Sequence, residues 1–140
     1  MGRTALVVAA AIVVLGAGLV MTLKPSPHYP IARVTAPGGV ALSFLQEQVK
    51  SEEDCHAANQ RVTQAMLANC HECALAESRC VGEAPAALSA TAPGTQDMIS
   101  AKGLRILIDA PPAAAHALCQ TLATGIAAND ATARCVPAAN

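Results

Sequence analysis

Hydrophobic positions run unbroken at the start of this chain, recur at helical spacing in its middle, and alternate with polar ones further on. The opening run, "ALVVAAAIVVLGAGLVMTL" from Ala5 to Leu23, carries no charge and is apolar all round. A helix needs about 20 such residues to cross a ~30 Å hydrocarbon core, so the run predicts a membrane anchor, weakened at Gly16 and Gly18. A cleavable signal peptide has a shorter apolar region, about 7–15 residues, closed by a small-residue site. No Ala-x-Ala follows this run before Lys24, and "GAG" at 16–18 lies inside it. The pattern therefore favours an uncleaved single-pass anchor over 1–23.

After the anchor, "KPSPHYPIARVTAPGG" holds four prolines, and a proline-rich segment is extended and semi-rigid. Residues 24–39 are expected to be a spacer and 40–140 the domain. "VALSFLQEQVK" from Val40 is amphipathic and reads as an additional helix. "SEED" at 51–54 reads as a capping box with Ser51 as the cap. Beyond it, Cys55, Asn59, Val62, Met66, Asn69, Cys73, Ala76 and Cys80 recur at steps of four and three, a helical face. That face belongs either to one helix or to a hairpin breaking near Ala68–Asn69.

The second half reads strand, helix, strand. "GLRILID" at 103–109 alternates Leu104, Ile106 and Ile108 with polar residues, as a half-buried strand does. Pro111 and Pro112 stand where a first helical turn accepts proline, and Ala115, Cys119, Leu122 and Ile126 form a helical stripe capped at Gly125. "TARCVP" at 132–137 is a short closing strand. With "IARVT" (31–35) and "AALSAT" (86–91) as weak strands, the order becomes βαββαβ. The expected class is α+β, a small disulfide-stapled domain of ferredoxin-like type; a helical hairpin on a small βαβ unit is the alternative. No internal repeat is visible.

Composition changes this picture in one respect. The chain is 53% hydrophobic, yet it has one Phe, one Tyr and no Trp, and alanine supplies much of the apolar content. Such a core buries little area per residue at about 25 cal/mol per Å², so cross-links worth about 2–4 kcal/mol each would matter. Six cysteines, an even and dense count, fit an oxidising compartment. Arg3 on one side of the anchor and Lys24 and Arg33 on the other leave the positive-inside bias nearly balanced. The cysteines therefore place the body in the periplasm or outside the cell, on a bacterial inner membrane.

Candidate chemistry concentrates in "LANCHECALAESRC", residues 67–80. Haem attachment needs C-x-x-C-H, and the histidine here lies inside the pair. A structural metal site would recruit Cys70, Cys73 and Cys80 with Cys55, His56 or His71, but an oxidising compartment removes the thiolates, so neither a metal nor a cofactor is expected. Cys70 and Cys73 are the redox candidates: were Asn69 a helix N-cap, the dipole would stabilise a Cys70 thiolate. Against this, no strand ends just before the motif and Glu72 opposes a thiolate. The favoured reading is structural, pairing Cys55 with Cys80, Cys119 with Cys135 and Cys70 with Cys73.

The remaining polar residues are ordinary. His28 falls in the spacer and His116 off the apolar stripe. Ser43, Ser51 and Ser89 lack a nucleophile setting, and Glu52, Glu53 and Asp54 suit a helix start. No catalytic residue can be picked out, and an enzyme is not the favoured reading. Net charge is −1 without a basic stripe, which excludes a nucleic-acid partner. The expected function is that of an anchored accessory or assembly subunit working by protein–protein contact in a cell-envelope complex. The alternatives are a membrane-tethered thiol–disulfide or metal-handling protein using Cys70 and Cys73, and a secreted binding domain. The expected partners are the lipid bilayer and other envelope proteins.

Overall fold

The structure, a computed structural model, describes residues 26–90 and 94–139. Eight principal elements follow in the order β1 (Tyr29–Ala36), β2 (Val40–Gln46), α1 (Glu52–Ala68), β3 (Ala74–Val81), β4 (Asp97–Ala101), β5 (Leu104–Asp109), α2 (Pro112–Ala127) and β6 (Arg134–Val136). A single 3-10 turn, Ala86–Leu88, lies between β3 and β4. The strands form one antiparallel sheet in the order β3-β1-β2-β5-β4-β6. This is a small α+β domain, but the order is ββαβ-ββαβ rather than βαββαβ.

The fold is one motif used twice. Each half makes a hairpin, a helix, and an outer strand that returns beside the hairpin's first strand. Within the sheet the halves join where β2 pairs with β5, with Leu42 opposite Ile108 and Phe44 opposite Ile106. Stretches 55–70 and 115–130 share nearly the same burial pattern, differing only at 57/117 and 58/118: Cys55, Asn59 and Thr63 face inward in α1, and Ala115, Cys119 and Ala123 in α2. The identities behind this repeat are His56-Ala57 and His116-Ala117, Gln60 and Gln120, and Ala68-Asn69 and Ala128-Asn129. They are short, polar or small, which is why no repeat stands out along the chain.

One core joins the helix-bearing face. Ala32, Val34, Leu42, Phe44, Ile99, Ile106 and Ile108 pack beneath Ala115, Cys119 and Ala123, with Val62, Met66, Leu122 and Ile126 around them. α1 rests on β1 and β3, and α2 mainly on β4 and β6. The opposite face buries Ile31, Ala41, Leu45 and Met98. Leaving β3 at one edge, the chain must cross this face to reach β4, and the 3-10 turn packs there on β2 and β5.

Several local expectations are corrected. "VALSFLQ" is not a helix but the central strand β2, with buried residues on both faces; a strand covered from two sides loses the alternation that would mark it. Tyr29–Ala36, inside the segment read as a spacer, is β1, and Pro37-Gly38-Gly39 turns it into β2. Gly38 and Gly39 have φ of 81° and 74°, values that side chains with a Cβ rarely adopt. The described residues of "AALSAT", 86–90, form no strand; the first three make the 3-10 turn. The helical face ends at Ala68, so Cys73, Ala76 and Cys80 lie beyond it, in a loop and in β3. α2 runs past Gly125 to Ala127, with Ala128 as its cap.

Other features agree with their chemistry. Ser51 caps α1, its hydroxyl accepting from the Asp54 N–H at 3.0 Å. Pro111 and Pro112 open α2. Among the described residues no helix is long and apolar enough to cross a membrane; the anchor reading of 5–23 lies outside the described residues.

Candidate functional site

All six cysteines are oxidised, as Cys55–Cys80, Cys70–Cys73 and Cys119–Cys135. Two of these bonds tie a helix to the outer strand of its own half. The third closes the loop between α1 and β3. Asn69 there is a C-cap, not an N-cap: its backbone N–H bonds Met66 O at 3.2 Å and its side-chain amide donates to Ala65 O at 2.9 Å. Cys70 therefore follows the negative end of the α1 dipole, which disfavours a thiolate.

The matching loop of the second half shows what this position demands. Cys73 N–H donates to Cys70 O at 3.2 Å, and Ala133 N–H to Asp130 O at 3.0 Å. One loop is closed by a disulfide, the other by a carboxylate. Asp130 accepts from Thr132 Oγ1 at 2.6 Å, from Thr132 N at 2.9 Å and from Lys102 N at 3.0 Å. These bonds, the Thr132 hydroxyl first, hold its pKa below the ordinary 3.8. Both devices serve one turn geometry, a structural role for Cys70–Cys73 that needs no redox chemistry.

A second constellation surrounds the equivalent histidines; of its members the sequence offers His56 and Cys80 as ligands, but not His116 with Asp97. His56 Nδ1 lies 4.0 Å from Cys80 Sγ and its Nε2 3.6 Å from Glu52 Oε1. In the second half, His116 Nδ1 lies 3.6 Å from Asp97 Oδ2. The Asp97 side chain is only 10% exposed against 52% for His116, and its Oδ1 accepts from Ala138 N at 2.7 Å. Asp97, His116 and Cys135 each bring a donor atom within 4.8 Å of the others. A cleft of about 410 Å³ opens beside them, lined also by Asp109, Pro112 and Ala115. The one signal in the sequence was the shared His-Ala-x-x-Gln at 56–60 and 116–120.

Two surfaces are suited to partners rather than chemistry. An apolar groove of about 230 Å³ runs between the helices, walled by Val62, Met66, Leu122 and Ile126 over Phe44 and Ile106. The sheet edges differ sharply. β6 is three residues long, is followed by Pro137, and its continuation bonds Asp97 and Gly94 through Ala138 and Ala139. β3 is eight residues long and mostly exposed, contains no proline, and shows Leu75 at 47% exposure. Comparison with protein-family models, curated proteins and solved structures finds no match to this chain.

Proposed function

We propose that the chain is an anchored accessory or assembly subunit of a cell-envelope complex, recruiting its partner by strand addition along β3. The anchor is the apolar run 5–23, and the domain stands in the periplasm or cell exterior, where three disulfides persist. The observation that carries the reading is the β3 edge, which is open among the described residues. An extended strand with free outward N–H and C=O groups is a template for pairing, which proteins normally shorten, cover or interrupt, and β6 has those protections. Glu77 and Arg79, an ion pair on β3, supply charge for choosing register, and Leu75 an apolar contact.

A photo-crosslinking residue at Leu75, installed in the membrane-bound protein, should give one discrete product. The same residue at Thr121 on α2 should give none, and Ser78→Pro should abolish the Leu75 product while the disulfides stay intact. Products from Thr121 alone would move the interface elsewhere. A reporter active only outside the cytoplasm, fused after Asn140, should be active; a mature chain beginning near Leu19 would replace the anchored subunit with a secreted binding domain.

A further inference from the structure

The Cys119–Cys135 bond covers a donor set whose chemistry is that of a transition-metal site. We propose that on reduction of this disulfide, Cys119, Cys135, His116 and Asp97 bind one zinc-class divalent ion, so that the cross-link and the metal are alternative occupants of one position. Two thiolates, an imidazole and a carboxylate make a four-ligand set of the kind zinc accepts.

The distances are close to those required. Ligand bonds of about 2.0–2.2 Å to nitrogen and oxygen put tetrahedral neighbours about 3.3–3.5 Å apart. Asp97 Oδ2 and His116 Nδ1 already stand at 3.6 Å, longer than a hydrogen bond, and the Cys135 sulfur joins them within 4.8 Å. Cys119 lies one turn beyond His116 on the same helix, fully buried. The two sulfurs must part, from 2.05 Å to about 3.7 Å for thiolates on a common zinc, and the Cys119 sulfur, outside the 4.8 Å group of the other three donors, must close on them. The surroundings also suit the bound state. Asp97 Oδ1 is fixed by the Ala138 N–H, leaving Oδ2 to face the ion. With Nδ1 on the metal, His116 Nε2 carries the proton and donates to the Gln120 amide, 3.1 Å away, once that amide presents its oxygen.

The first half serves as an internal control. Glu52 faces Nε2 of His56 while Cys80 faces Nδ1, so carboxylate and sulfur lie on opposite sides of the ring. Those donors do not converge, and that half is a cross-link only.

The exchange balances with a dithiol donor. The donor gives two electrons and two protons, becoming a disulfide, and the S–S bond becomes two thiols. The ion then displaces both thiol protons to solvent as two metal–sulfur bonds form. The reverse exchange with a disulfide, which takes up the two electrons and two protons and leaves as a dithiol, re-forms the Cys119–Cys135 bond and releases the ion. In an oxidising compartment the site stays closed until a dithiol reaches the half-buried Cys135, which lines a separate open cleft with Gln120 and Arg134.

Cobalt(II) is the probe. The Cys70→Ser/Cys73→Ser protein, lacking the local pair, is reduced anaerobically with a water-soluble phosphine, which ends as its oxide using oxygen from water. Cobalt should then bind at one ion per chain, giving tetrahedral d–d bands and a thiolate charge-transfer band; both should vanish on adding zinc and be absent before reduction. His116→Ala and Asp97→Asn should each weaken cobalt binding at least 10-fold, while leaving the oxidised protein's melting temperature within a few degrees. Where reduction unfolds the chain, zinc should restore its circular dichroism. Bands unaffected by both substitutions, bands lost instead in Cys55→Ser/Cys80→Ser, or a reduced chain that neither binds cobalt nor refolds with zinc would overturn the proposal.

Discussion

The two halves of the molecule meet the same structural demands with different chemistry. Where α1 faces its outer strand, Asn59 donates to Arg79 O at 2.9 Å and accepts from Gln46 at 3.3 Å. At the equivalent position of α2 stands Cys119, bonded to Cys135. Where the helix hands over to the strand, the first half uses Cys70–Cys73 and the second the Asp130 carboxylate. The fold thus specifies that a contact must exist at each position, not which kind. A cysteine near another cysteine is therefore weak evidence of redox function when a hydrogen bond does the same task in the sister unit.

That comparison can be broken most forcefully at the seam. Phe44→Ala, on the strand where the halves meet, should cost about 3–5 kcal/mol, lowering the melting temperature by more than about 10 °C in a domain this size. A loss confined to one half by hydrogen exchange would mean that the halves do not share a core. Next come the two helix-to-strand disulfides, each expected to contribute about 2–4 kcal/mol. Cys55–Cys80 spans 25 residues and Cys119–Cys135 spans 16, so removing the first should cost about 0.4 kcal/mol more on the loop-closure estimate. Within each pair the double replacement should cost little more than either single.

Asn59→Ala should destabilise by about 1–3 kcal/mol, because it removes the buried amide that bonds the part-buried Arg79 carbonyl and Gln46 amide; thermal melts against Ala58→Gly would separate this loss from a helix-propensity effect. The smallest effect is in acid. The Asp130 pKa is lowered in the folded chain, so its contribution is complete above the ordinary value and is lost as pH falls through the folded one. Chemical denaturation from about pH 5 down to about pH 2 should show a component that Asp130→Asn removes and Cys70→Ser/Cys73→Ser does not. An unchanged profile in Asp130→Asn would show that the second loop is closed by other contacts.

What the sequence revealed and hid follows from burial. The Ser51 cap, the alternating strand at Leu104–Asp109 and the proline-opened α2 were legible because each is set by neighbours in sequence. β2 was not, since Ala41, Leu42, Phe44 and Leu45 are buried on two faces and their near-continuous run fits a strand or a helix. The helical face read through to Cys80 was a coincidence of phase: the loop has a length that returns β3's cysteine to the period of α1. The Asp97–His116 pair was invisible because its members come from the start of β4 and from α2, brought together only by the sheet.

The β2–β5 seam also has a consequence for assembly of the chain itself. Strand pairing within each half is local, so one antiparallel pair and the packing about it carry the long-range organisation, the arrangement in which two pieces can find each other after cleavage. Cutting the crossing segment between Gly82 and Gly94 should leave two fragments that reassociate through β2 and β5 into one sheet. Two intact chains brought close together have the same option: they can exchange whole halves, with β2 of one molecule pairing with β5 of the other.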